Sequence, residues 1–203
     1  MSVSVTAMFI AIEGPNAVGK TTVTGLLAAS GATRIPGIEI VATMEPTRSP
    51  LGAAIRSLEG DLPPRALALS CAADRFDHVE REIRPALARG AWVVSDRYLP
   101  SSLVLQRLDG MDIEEIWRLN QEVLRPHLTV YLHDDPVTIA QRLEQRGRRN
   151  RFEREGSPEI ELQFYEDAYG FLDRHGWTQI RLDCRRRTPN EVVEFVMRAA
   201  TGS

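Results

Sequence analysis

Lysine is almost missing from this chain of 203 residues: of its 25 Lys and Arg side chains, Lys20 alone is not arginine. Cysteine is nearly as scarce, and Cys71 and Cys184 show neither metal-ligand spacing nor a disulfide framework. No apolar run approaches the length of a membrane span. The first residues carry neither a basic start nor an apolar signal core, so a cytoplasmic protein without membrane contact is expected. A basic surplus is absent too: the net charge of −3 argues against nucleic acid as a partner. There is no internal repeat and no low-complexity tract. What remains is an ordinary composition, 43% hydrophobic and 26% charged, at a length that predicts a single domain over 1–203 with a proper core.

The one lysine lies in Gly14-Pro15-Asn16-Ala17-Val18-Gly19-Lys20-Thr21-Thr22. This segment fits G-x-x-x-x-G-K-[ST], the loop that cradles phosphate in nucleotide-hydrolysing and phosphoryl-transferring proteins. A point charge on a thin stem fits inside a closed turn of backbone amides, where arginine's planar fork does not. The flanks agree with the motif. Met8-Phe9-Ile10-Ala11-Ile12 reads as a strand buried on both faces, and Thr21 to Ala29 has apolar residues at helical spacing, with Gly31 as the expected stop. Strand, glycine loop and helix aim backbone N–H groups and the helix dipole at one spot. Gly14, Asn16, Ala17, Val18, Gly19, Lys20, Thr21 and Thr22 are therefore the candidate nucleotide-phosphate residues.

Further strands are predicted at 38–43, 91–95, 128–132 and 179–182. Helices are predicted at 50–58, 64–89 (bent or broken near Pro85), 101–108, 113–124, 136–146, 159–174 and 189–198. The alternation predicts an α/β fold, a five-stranded parallel sheet with helices on both faces, whose ligands bind beyond the carboxyl ends of the strands. Those ends carry Glu45-Pro46-Thr47-Arg48, Asp96-Arg97-Tyr98 and His133-Asp134-Asp135-Pro136. Phosphoryl transfer needs positioning and neutralisation of spread charge; Lys20 and Arg97 are suited to that, and Thr21 and Asp96 to holding Mg²⁺. Between Arg142 and Arg154 stand six arginines and only the acids Glu144 and Glu153. Part of this run interrupts the helical pattern and predicts an Arg-rich lid at about 147–157 that closes over a triphosphate. Arg75, in Ala73-Asp74-Arg75, either reaches an acceptor phosphate or pairs at the surface with Asp74 or Glu82.

With these motifs in place, the chain resembles the thymidylate kinases, a branch of the P-loop nucleoside monophosphate kinases. The resemblance runs from Phe9-Ile10-Ala11-Ile12-Glu13-Gly14 to Leu182-Asp183. It rests on Glu45-Pro46-Thr47, Ala72-Ala73-Asp74-Arg75, Ile83-Arg84-Pro85-Ala86-Leu87, Ser95-Asp96-Arg97-Tyr98, Ser101-Ser102, Gln106 and Arg151-Phe152-Glu153. It implies transfer of the γ-phosphate of ATP to thymidine monophosphate with Mg²⁺, usually by a homodimer. It also implies that Arg75 and Arg97 hold the acceptor phosphate, with Glu45 or Arg48 nearby. Cys71, Ser102, Leu105 and Gln106 fall in the acceptor pocket. Arg149 and Arg151, with Arg148, fall on the donor. The bond before Pro46 is a candidate cis peptide. Leu67, Leu69 and Trp92 are open between core and dimer interface.

The departures from the family pattern fall mostly on the acceptor side. Asn16 stands where the family usually has an acid in the loop, Cys71 where a phenylalanine stacks on thymine, and Leu105 where a tyrosine crowds the sugar. His133 and Asn150 also replace aspartates. Either Phe76 or Tyr98 supplies a replacement aromatic face, or the acceptor is another pyrimidine nucleotide, modified or ribose-bearing. A guanine-nucleotide switch is disfavoured, because its Asn/Thr-Lys-x-Asp motif needs a second lysine. A catalytically silent nucleotide-binding module is disfavoured by intact Lys20, Thr21 and Asp96.

Overall fold

The computed structural model describes residues 6–145 and 157–202, and 30–34 by their backbone only. Five strands form one parallel sheet: β1 (Met8–Glu13), β2 (Ile40–Met44), β3 (Trp92–Asp96), β4 (Leu128–His133) and β5 (Gln179–Asp183), in the order β2-β3-β1-β4-β5. Strand periodicity sends alternate residues of β1 to opposite faces. Phe9 and Ala11 join a core with Val93, Tyr131, Leu103 and Phe171, whereas Ile10 and Ile12 join one with Val94, Val130, Leu27 and Val196. Both faces are covered, which is why the central strand reads as an unbroken apolar run.

The helices among the described residues are α1 (Lys20–Arg34), α2 (Pro50–Leu58), α3 (Pro64–His78), α4 (Arg84–Ala88), α5 (Leu99–Leu108), α6 (Ile113–Arg118), α7 (Pro136–Gln145), α8 (Pro158–Arg174) and α9 (Pro189–Thr201). Two ends depart from the sequence expectation by more than a turn or past an expected stop, at α1 and α6, and the expected break near Pro85 takes a particular form. Gly31 does not stop α1, which runs on to Arg34; a helix tolerates an interior glycine at a cost of about 1 kcal/mol, and Pro36 is the stronger terminator. The break before Pro85 is a wide turn of π-helix over Val79–Ile83 that accommodates the ring and its missing N–H. Helix α6 ends at Arg118 rather than 124, because the Asn120 amide donates to the carbonyl of Ile116 at 2.8 Å and takes the place of the next backbone donor.

The register brings the strand ends to one level. Ile12 and Met44 both lie beside Asp96; the Glu45 N–H donates to the Asp96 carbonyl and the Arg97 N–H to that of Ile12, each at 3.0 Å. No helix among the described residues is long and apolar enough to cross a membrane.

One close approach fixes the segment after β2. A Cβ placed on Gly52, in the first turn of α2, would sit 2.0 Å from the Thr47 carbonyl oxygen. Thr47 cannot retreat, because its N–H and hydroxyl both donate to the buried Asp74 carboxylate, at 2.7 and 2.6 Å. Gly52→Ala is therefore expected to destabilise the fold by about 2–3 kcal/mol, read as a lower midpoint in chemical denaturation. An unchanged midpoint would mean that the helix slides away at no cost.

Candidate active site

The turn from β1 into α1 admits no side chain at its first position: a Cβ on Gly14 would lie 2.2 Å from the Leu132 carbonyl oxygen, and the residue has φ of +134°. Ala17 also has positive φ, +63°. The loop closes around Lys20, which is 5% exposed and whose ammonium donates to the carbonyls of Gly14 at 2.7 Å and Pro15 at 2.8 Å. Burial, reinforced by the neighbouring Arg97, lowers its pKa to about 7. At the start of the helix the Thr21 hydroxyl donates to the Asp96 carboxylate at 2.5 Å. One hydroxyl and one carboxylate fit Mg²⁺, which binds few protein oxygens and completes its shell with phosphate and water. No group of three or more His, Cys, Asp or Glu side chains arranged to hold a metal ion occurs among the described residues.

Arg97 follows β3 with φ of +76°, an uncommon conformation for a side chain of this size. Glu13, fully buried at the end of β1, secures the turn by accepting from the Tyr98 N–H at 2.6 Å and the Ser101 hydroxyl at 2.7 Å. Burial raises the Glu13 pKa to about 7 against those stabilising bonds. The Arg97 guanidinium donates to the Ser101 hydroxyl at 2.9 Å, the Tyr165 hydroxyl at 3.3 Å and the Asn16 side-chain oxygen at 2.6 Å. All three partners are neutral, and the carboxylates stand one group further back. Among the described residues neither Lys20 nor Arg97 forms a direct ion pair.

Arg75 is treated differently. It is buried, and its Nε donates to Glu45 at 2.8 Å, with further bonds to Asn120 at 2.5 Å and Ser102 at 2.8 Å. The other oxygen of Glu45 lies 3.1 Å from His78 Nδ1. Removing either member of the buried Arg75–Glu45 pair would leave an uncompensated charge, at a cost of about 3–5 kcal/mol. Arg75 is thus not a surface partner of Asp74 or Glu82: Asp74 is committed to Thr47, and Glu82 accepts from Thr43.

These groups line a cavity of about 470 Å³. Asn16, Ala17, Gly19, Lys20, Thr21, Asp96 and Arg97 line it from the loop and the end of β3, together with Glu45, Cys71, Arg75, Ser102, Leu105 and Gln106. Burial raises the Cys71 thiol to about 12, so it stays neutral. The Gln106 side-chain oxygen is buried without a hydrogen-bond partner among the described residues. The bond before Pro46 is cis.

Some sequence-predicted residues lie elsewhere. Arg48 is exposed and does not line the cavity; Arg56 lines it instead and donates to the Pro46 and Thr47 carbonyls, each at 2.6 Å. His133, Asp134 and Asp135 do not line it either. Asp134 pairs with Arg142 at 2.9 Å, and Asp135 caps α7 through the Val137 N–H at 2.8 Å. Of the two proposed aromatic faces, Phe76 is outside the lining; Tyr98 is within it, but its ring has no exposure and packs edge-on against Phe9, so it presents no open stacking face. Thr22 is exposed on α1. Arg148, Arg149, Asn150 and Arg151, with most of the expected lid, lie outside the described residues. Sequence reading missed Glu13, Glu161 and Tyr165. Glu13 had a signal, a carboxylate closing an apolar strand; the other two lie on a helix far along the chain.

The family described as Thymidylate kinase matches residues 12–175. The chain is 43% identical over 157 residues to a thymidylate kinase of Clavibacter michiganensis, covering 73% of this chain and 72% of that protein. It is 40% identical over 149 residues to a probable thymidylate kinase of Pyrobaculum calidifontis, covering 72% and 74%. The crystal structure of thymidylate kinase from Ehrlichia chaffeensis shares the fold, with a TM-score of 0.72 at 23% identity over 96% of this chain and 98% of that one. With the loop around Lys20, the sheet order and the cavity already in place, this chain belongs to the thymidylate kinase family.

Proposed function

We propose that this protein transfers the γ-phosphoryl group of ATP to thymidine monophosphate, giving ADP and thymidine diphosphate. The observation that carries this reading is the buried Lys20 and the half-buried Arg97, which line one nucleotide-sized cavity and have no direct counter-ion among the described residues. The relatives described above are named for thymidylate, so other pyrimidine acceptors are not favoured.

The donor phosphates lie against the backbone N–H groups of the loop, and Lys20 exchanges two carbonyls for phosphate oxygens. Arg97 meets the acceptor phosphate and sets it in line, an effect of orientation and charge rather than of covalent chemistry. Arg75, held by Glu45, Asn120 and Ser102, serves as a rigid polar wall rather than a mobile clamp. The Gln106 oxygen offers an acceptor to an N–H of the base, between Cys71 and Leu105. Thr21 and Asp96 would hold Mg²⁺, which when bound neutralises charge on the phosphates. The assignment of Arg148, Arg149 and Arg151 to the donor rests on the sequence. A homodimer is the proposed assembly: Leu69 and Phe76, seven residues apart on α3, remain 49% and 38% exposed, whereas Leu67 and Trp92 are core. The cytoplasm is the proposed compartment.

A coupled assay of ADP release across a panel of nucleoside monophosphates tests the reaction. Thymidine monophosphate is expected to give the highest turnover, and ADP release indifferent to acceptor would overturn the reading. Lys20→Ala is expected to lower kcat at least ~10²-fold with an unaltered circular dichroism spectrum. A variant with near-normal turnover would remove Lys20 from the mechanism.

Proton linkage gives a separate check. In the free protein burial lowers the Lys20 pKa to about 7, so part of its charge is lost by pH 8. A bound polyphosphate favours the charged form and raises that pKa, so nucleotide binding at pH 8 takes up protons. Calorimetry in two buffers of different ionisation enthalpy is expected to show that uptake at pH 8 and a smaller one at pH 6, where Lys20 is already charged. Equal uptake at both values would contradict it.

A further inference from the structure

Helix α8 reaches the phosphate loop through Glu161 and reaches Arg97 through Tyr165, four residues apart on one face and 7% and 4% exposed. Glu161 Oε1 accepts from the Asn16 N–H at 3.0 Å and from the Asn16 side-chain nitrogen at 3.4 Å. The Asn16 side-chain oxygen in turn accepts from Arg97 at 2.6 Å. An ionised carboxylate only accepts hydrogen bonds and a guanidinium only donates them. The carboxamide between them has one end of each kind, so Glu161 and Arg97 together fix which way it faces. Asn16 carries no charge itself; the negative charge at this corner of the loop arrives from α8.

We propose that Glu161 is a positioning residue for phosphoryl transfer, supplying from α8 the one negative charge that the loop lacks at position 16 and, through the Asn16 carboxamide, aiming Arg97 at the acceptor phosphate. This rests on the reading that Arg97 meets that phosphate. Two consequences separate the arrangement from ordinary packing. The corner needs one carboxylate, and either residue can carry it. A second carboxylate at position 16 would face Glu161 at hydrogen-bond distance, where like charges repel and the amide donor is lost. An amide at 161 would leave the Asn16 side chain free to turn its nitrogen toward Arg97.

The test is steady-state kinetics on the full chain as wild type, Glu161→Gln, Asn16→Asp and the double variant. Each single change is expected to lower kcat/KM for thymidine monophosphate by about tenfold or more, while the KM for ATP stays within about twofold. The double variant keeps one carboxylate at the corner and is expected to regain about tenfold over either single variant. Losses that multiply in the double variant would overturn the proposal, as would a Glu161→Gln enzyme equal to wild type. A parallel rise in the KM for ATP would also overturn it, since the effect would then be collapse of the loop rather than aim of Arg97. Wild type without acceptor-dependent turnover would overturn both this proposal and the reading beneath it, whereas an active wild type with independent losses would overturn this proposal alone.

Discussion

The site depends on two cations, Lys20 buried and Arg97 half-buried, held without being fully neutralised. A buried charge ordinarily requires a direct partner, and Arg75 shows that arrangement in its contact with Glu45. Lys20 and Arg97 do not follow it. The lysine leans on the two carbonyls of its own loop, and the arginine leans on two hydroxyls and a carboxamide. Glu13 and Glu161 hold those neutral groups from behind, so their charge is felt without contact. Such a corner is stable enough to fold and still attracts an anion.

Backbone geometry makes this possible. Parallel pairing in a single register brings the ends of β1, β2 and β3 to one level, so the loop after β1 and the turn after β3 face each other. The left-handed conformation of Arg97 lifts its side chain off the strand toward Asn16. Glu13 opposes the tendency of that turn to relax by accepting from the next N–H. Its desolvation is the energetic counterpart, visible in a carboxyl pKa raised to about 7. A strained residue held by a buried polar group is the expected signature of a site built for positioning.

Much of this was legible in the sequence. The loop carries its own signature in Gly14, Gly19, Lys20 and Thr21, and the alternation of apolar strands with helices announces a parallel sheet. The break near Pro85 was readable from the proline, though not its form as a π-helical turn upstream, whereas the end of α6 was missed because the Asn120 side chain overrode propensity. The cavity was harder to read. Helix phase leaves Arg75 ambiguous, since its burial depends on Glu45, thirty residues earlier in the chain. Arg48 and Arg56 are indistinguishable by type, and only the turn of α2 decides which faces inward. The role of Glu161 has no local signature, because its meaning comes from Asn16, 145 positions away.

The central claim is that the phosphate tail of the donor replaces the loop carbonyls around Lys20 while Arg97 receives the acceptor. A crystal structure with a non-hydrolysable ATP analogue and thymidine monophosphate measures this directly. The account predicts Lys20 Nζ within hydrogen-bond distance of donor phosphate oxygens and released from Gly14 and Pro15, with the acceptor phosphate on Arg97. Phosphates bound elsewhere, with Lys20 still hydrogen-bonded to its two carbonyls, would contradict it.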